Sequence, residues 1–166
     1  MIAFAEAKEK DIPGIIRVMR DTGYAEMKFG KKSDVTINTL IMKSAYTFLV
    51  CYKGLIKRDV IGYFIFSTVK NAFKEERKFI QFDDTYGCHR GIGILSKYRG
   101  KGYGKRLTKF ALRKVKEKYS GIYADVAVDN QISLRFHESL GFEKIGAFDS
   151  NFRPPGIKNV VFVKHF

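Results

Sequence analysis

The stretch Ile92-Gly-Ile-Leu-Ser-Lys-Tyr-Arg-Gly-Lys-Gly-Tyr-Gly-Lys-Arg106 constrains the fold more than any other part of the chain. A segment rich in branched residues ends there, glycines fall at 100, 102 and 104, and a helical pattern begins. Tyr103, Leu107, Phe110, Ala111 and Val115 line one face of that helix, predicted over Gly102–Tyr119. A strand must therefore pass into a helix through a turn whose backbone angles favour glycine. Such a turn gathers backbone N–H groups at the positive end of the helix dipole. Cations crowd the same place: between Lys97 and Lys118 there are ten basic residues and one acid, Glu117. Arg99, Lys101, Lys105 and Arg106 stand at the helix start, where the dipole disfavours them unless an anion sits there.

The remaining elements arrange themselves around this unit. Ile2–Ala7 reads as a first strand. Asp11 then reads as the cap of a helix that carries Pro13 in its first turn and runs to about Asp21. Thr22–Lys32 is polar and glycine-bearing and reads as a loop, after which Ser33 caps a helix with Val35, Ile37, Leu40 and Ile41. Tyr46–Tyr52 and Val60–Val69 are strands, Lys78–Leu95 is a long extended segment, and Ile122–Val128 is a strand. Gln131–Leu140 is a short helix closed by Gly141, followed by strands at Phe142–Phe148 and Ile157–Phe166 with the Pro154–Pro155 loop before the last. The order β-α-α-β-β-β-α-β-α-β-β predicts an α/β (α+β) domain over residues 1–166. Its centre is a mixed, mostly antiparallel sheet of about seven strands with helices on both faces.

With 31 Lys and Arg against 17 Asp and Glu, the net charge is +14. That excess favours an anionic partner: nucleic acid, an acidic lipid surface or a polyphosphate cofactor. No apolar run approaches the length of a membrane span, and the amino terminus lacks a signal-peptide pattern, so a cytoplasmic protein without membrane attachment is expected. Cys51 and Cys88 read as core residues in strands, and His89, His137 and His165 show no ligand spacing, so no metal site is predicted.

Two common phosphate loops fail here. No glycine-lysine pair has the neighbours of a Walker loop, and Gly100-x-Gly102 is followed by Lys105 where a dinucleotide fingerprint needs its third glycine. The spacing Arg99-x-x-Gly102-x-Gly104 does match a known pattern. Downstream, Ala127-Val-Asp-Asn-Gln-Ile-Ser-Leu-Arg-Phe-His-Glu-Ser-Leu-Gly-Phe142 supplies a strand, a helix and a Gly-Phe pair in matching register. On these two motifs the chain resembles the GNAT superfamily of acyl-coenzyme A N-acyltransferases. The run His137-Glu-Ser-Leu-Gly-Phe142 is similar to that of phosphinothricin-type N-acetyltransferases.

The resemblance implies acetyl-CoA as acyl donor and a primary amine as acceptor, joined by direct attack. It places the pantetheine arm along Ile92, Gly93 and Ile94, with an N–H near Ile94 donating to the thioester oxygen. Gly91 and Gly93 would clear space for that ligand. It places the pyrophosphate on Arg99, Gly100, Lys101, Gly102, Tyr103, Gly104 and Lys105, and a further contact at Asn130, which is also a natural helix cap. It puts His137 where most members carry a tyrosine that protonates the departing thiolate, with packing of the short helix as the plainer role. No residue stands out as the general base: His89, Asp83, Asp84 and Glu26 are candidates, and a water chain is another. Thr22–Ser33, Asn71–Arg77 and Asp149–Gly156 would shape acceptor choice. The acceptor stays open between small molecule and protein, a ribosome-associated one included, and so does the choice between monomer and homodimer. The competing classes are an acyl-CoA sensor without turnover and a basic nucleic-acid-binding module.

Overall fold

The computed structural model describes residues 1–54, 58–71, 74–80, 84–149 and 156–166. Its strands are β1 (Ile2–Glu6), β2 (Thr47–Lys53), β3 (Asp59–Thr68), β4 (Tyr86–Ile94), β5 (Gly121–Ala127), β6 (Glu143–Asp149) and β7 (Lys158–His165). They form one seven-stranded sheet in the order β1-β2-β3-β4-β5-β7-β6. The α-helices among the described residues are α1 (Ile12–Asp21), α2 (Tyr24–Phe29), α3 (Asp34–Met42), α4 (Tyr103–Lys116) and α5 (Gln131–Glu138). The expected mixed, mostly antiparallel architecture is present, with one helix more than the sequence order predicted.

Residues group into two compact units, Met1–Phe66 with Gly91–Ala111 and Ser67–Arg90 with Leu112–Phe166. In the first, β1 and β2 pair antiparallel from Ile2↔Lys53 to Glu6↔Leu49. β2 and β3 pair antiparallel with a bulge between Cys51 and Tyr52. α1 buries Ile12, Ile15, Ile16, Val18 and Met19, the stripe its periodicity predicts. Asp11 precedes α1 but does not cap it with its side chain. Its carboxylate is buried and accepts instead from the Lys8 amide at 2.8 Å and the Tyr52 hydroxyl at 2.6 Å. Ser33 caps α3 as expected, accepting from the Thr36 amide. Only Ile37 and Ile41 of that helix are buried; Val35 is 77% exposed and Leu40 also faces out, because residues four apart share a stripe and these two lie off it.

The predicted Thr22–Lys32 loop instead contains α2. Gly23 and Gly30 bracket it at φ +72° and +64°, turns that only glycine adopts readily. Tertiary packing holds this short helix: Ala25 is fully buried and the Tyr24 ring lies 5.8 Å from that of Tyr63.

In the second unit β5 and β7 pair antiparallel from Gly121↔His165 to Ala127↔Asn159, and β6 pairs antiparallel with β7. β4 joins β5 in parallel over Tyr86, Gly87 and Cys88. Val69, Ile80, Cys88, Tyr123, Phe148, Val161 and Val163 make its core cluster. The long extended segment predicted from Lys78 begins later than expected. Glu76–Lys78 forms a 3-10 turn that places Glu76 against Arg90, and the strand starts at Tyr86. The Pro154–Pro155 loop lies outside the described residues.

Candidate active site

In the first unit, β4 continues through Gly91, Ile92, Gly93 and Ile94, and the Leu95 amide donates to the Ile61 carbonyl at 2.9 Å. Ile92 is half-buried, while Gly93 and Ile94 are buried. The two glycines have a reason the sequence did not reveal. A Cβ at Gly91 would lie 2.8 Å from the Tyr24 ring, and one at Gly93 would lie 2.6 Å from the Tyr63 ring. Both positions are glycine because two tyrosines of the same unit occupy the space. Burial pushes the Tyr63 phenol well above its ordinary range, with the Thr22 hydroxyl pulling the other way.

After β4, Ser96–Tyr98 makes a 3-10 turn. Asp21, at the end of α1, accepts from the Ser96 amide at 2.7 Å and from its hydroxyl at 2.9 Å. Those two bonds, with Arg99 3.5 Å away, hold its carboxyl below the usual carboxylate range. Arg99 also donates from Nε to the Ile94 carbonyl at 3.0 Å. Its side chain therefore ties the end of the strand to the turn. Asp21 escaped the sequence reading, yet a signal was present: an acid in the last turn of a helix opposes the dipole, as the cations at the start of α4 do.

Gly100 and Gly102 have φ of +73° and +74°, and neither has any atom within 4 Å of where a Cβ would stand. The loop thus presents open backbone. Gly102 accepts the first helical bond, from the Arg106 amide at 3.1 Å. The amides of Tyr103, Gly104 and Lys105 occupy the first turn, where no intrahelical carbonyl can reach them. Lys101 and Lys105 are exposed beside them, and the ammonium groups of Lys53, Lys97 and Lys101 lie 5.0–5.7 Å from the Tyr98 ring centre. Open amides, a helix dipole and a cluster of cations are the chemistry of a phosphate cradle.

In the second unit, Asn130 caps α5 by accepting from the Ser133 amide at 3.0 Å, as its position predicts. His137 is only 3% exposed and sits among Phe136, Phe142 and Phe162, its ring stacked on Phe162 at 5.6 Å. Its Nδ1 lies 2.8 Å from the Ser133 carbonyl, which can only accept, so Nδ1 carries the proton. Its Nε2 then faces His89 Nδ1 at 3.4 Å as an acceptor. Cys88 and Arg90 share the other side of β4, so the strand alternates regularly here. Asp84 pairs with Lys70 and Glu26 with Arg20, all at least partly exposed, while Asp83 lies outside the described residues.

Burial pushes the His137 imidazole below its ordinary value near 6.5, outweighing the Ser133 carbonyl and the more distant Asp125 carboxylate. The unfolded chain therefore binds this proton first, and stability falls as pH drops below about 6.5 toward the folded value, at most by about 1.4 kcal/mol per pH unit. Urea unfolding of His137→Phe is expected to lose less stability between pH 7.5 and 5.5 than the parent does. Equal losses in the two proteins would show that another group governs the dependence.

The model of the acetyltransferase (GNAT) family matches residues 18–142. No curated protein sequence is similar enough to count as a match. Among solved structures, smu.2055 from Streptococcus mutans UA159 superposes with a TM-score of 0.74 at 20% identity, covering 98% of each chain. A GCN5-related N-acetyltransferase from Kribbella flavida gives 0.76 at 16% identity over 99% of this chain and 98% of its own. NAA60 of Arabidopsis thaliana, crystallised with acetyl-CoA, gives 0.72 at 15% identity over 100% and 99%. These likenesses establish the fold of a GNAT domain. The chain belongs to the acetyltransferase (GNAT) family. It is an acetyl-CoA-dependent N-acetyltransferase, with acetyl-CoA as its cosubstrate. Among the described residues no helix is long and apolar enough to cross a membrane.

Proposed function

We propose that the chain transfers the acetyl group to a primary amine by direct attack, with the donor's pyrophosphate held at residues 99–105. The amine nitrogen bonds to the thioester carbon, the carbon–sulfur bond breaks, and the thiolate leaves with the electron pair. The amine loses one proton and the thiolate takes one up. The observation that carries this reading is the open glycine loop at the start of α4, with two positive-φ glycines and cations around it. Gly100, Gly102, Tyr103, Gly104 and Lys105 offer amides, Lys101 and Lys105 add charge, and Arg99 fixes the loop to Ile94. Ile92 and Gly93 would run beside the pantetheine arm, and the Ile94 amide is the donor we assign to the thioester oxygen.

Burial disfavours the charged form of His137, which weighs against its giving a proton to the departing thiolate. Ser133 engages the Nδ1 proton of His137, and His89 Nδ1 faces its Nε2. We therefore take His137 as a residue that positions His89, in place of a direct donor role for His137. Asn130 serves first as the cap of α5. Two free, buried cysteines suit the reducing cytoplasm we assign to the chain.

The test is a thermal-unfolding titration with acetyl-CoA and a matched inorganic polyphosphate control. Acetyl-CoA at 100 times its dissociation constant is expected to add about 2.7 kcal/mol, or roughly 5–10 °C. An equal shift with polyphosphate would reduce the loop to a general anion site. A specific shift without turnover across a panel of primary amines would place the acceptor outside that class.

A further inference from the structure

The +14 charge is not spread evenly, and most of it cannot serve one donor molecule. Residues 97–118 carry ten basic groups and one acid, so this stretch alone supplies +9. The sole acid, Glu117, is already held by Lys114 at 2.8 Å. α4 itself contains no acidic residue. Lys105, Arg106, Lys109, Arg113 and Lys116 are all exposed on it. At 3.6 residues per turn these five fall within a sector about 100° wide, and Lys105 to Lys116 spans about 16 Å along the axis. The helix is continuous from Tyr103 to Lys116, so this spacing follows from helix geometry alone. Lys105, Lys109 and Lys116 have no acidic partner among the described residues. The opposite face, Leu107, Ala111 and Val115, is buried, and so is Leu112 at the edge of the cationic sector.

We infer that the exposed face of α4 is a docking surface for the phosphate backbone of a nucleic acid. A cation recurs about every 6 Å from Lys105 through Lys109 to Arg113, with Lys116 one turn further, which suits a linear, repeating anion. The donor's pyrophosphate would engage only the first turn. A bilayer fits less well, because none of the large exposed apolar side chains lies on this helix and nothing there can wedge between lipids. An acidic protein fits less well for the same reason, since the face lacks an aromatic or aliphatic anchor. The contacts proposed here are to the phosphate backbone. The face reads charge and not bases, and binding is sequence-independent and salt-sensitive. The acceptor amine would then be one presented near nucleic acid.

The test is fluorescence anisotropy of the full chain with a fluorescein-labelled 20-nucleotide oligouridylate between 50 and 300 mM salt. Lys109 and Lys116 stand outside the proposed donor site, so Lys109→Gln/Lys116→Gln separates the two functions. Losing two phosphate contacts should flatten the plot of log affinity against log salt by about 1.4 and weaken binding about 25-fold at 0.1 M salt. The control Lys10→Gln/Lys43→Gln removes the same charge from exposed positions elsewhere and should change affinity less than threefold. Both variants should keep the parent's affinity for acetyl-CoA and its thermal midpoint. Equal losses in the two variants would overturn the inference, since net charge alone would then explain binding. Preferential capture of the parent by phosphatidylcholine vesicles containing phosphatidylserine, with no oligouridylate binding, would overturn it too.

Discussion

Replacing Arg90 by leucine is expected to destabilise the protein by about 3–5 kcal/mol. The guanidinium donates from Nη1 and Nη2 to the Glu76 carboxylate at 3.0–3.3 Å, and the two side chains are only 3% and 4% exposed. Burying both charges costs desolvation that their attraction offsets only while the geometry is bidentate. Taking away the cation leaves the buried carboxylate without its bidentate partner. Glu76→Leu/Arg90→Leu, which buries no charge, should recover most of the loss. Urea unfolding at pH 7 of the parent, Arg90→Leu, Glu76→Leu and the double variant reads this directly, and a double variant as unstable as the sum of the two single changes would show that the pair itself is not the source.

The second large effect is on donor binding. Gly102→Asn is expected to weaken acetyl-CoA binding a few-fold, and Gly102→Asp at least tenfold more. Both side chains tolerate the φ of +74° better than most, and a Cβ there meets nothing within 4 Å. Their backbone cost should therefore be similar, about 1 kcal/mol relative to glycine. They differ by a charge placed beside the first-turn amides, where a pyrophosphate would sit. Equal dissociation constants by calorimetry, with equal unfolding midpoints, would remove the phosphate from this loop.

The fold was legible wherever one residue's chemistry dictated its own backbone. Glycines at 100 and 102 forced the turn before α4, Ser33 and Asn130 marked their helices, and the stripe of α1 followed from its spacing. What escaped depended on residues distant in sequence. α2 is too short and too polar to announce itself, and it exists because Tyr24 packs on Tyr63. Gly91 and Gly93 were legible as sites of close approach, while the approaching groups proved to be those tyrosines. Asp11 has the residue type of a cap, yet Tyr52, far along the chain, claims its carboxylate. At the candidate site the loop could be read from spacing, whereas the tautomer of His137 required the Ser133 carbonyl and His89 to be seen together.

The two cysteines have a practical consequence. Burial pushes the Cys51 thiol up to about 11 and Cys88 up to about 12, and neither forms a disulfide. At neutral pH almost no thiolate is present on either, so an alkylating reagent must wait for the surrounding structure to part. Cys51 belongs to the first compact unit and Cys88 to the second. Each half of the molecule thus carries its own native clock, and the rates at which the two thiols are modified report the opening of each half separately, without an introduced label.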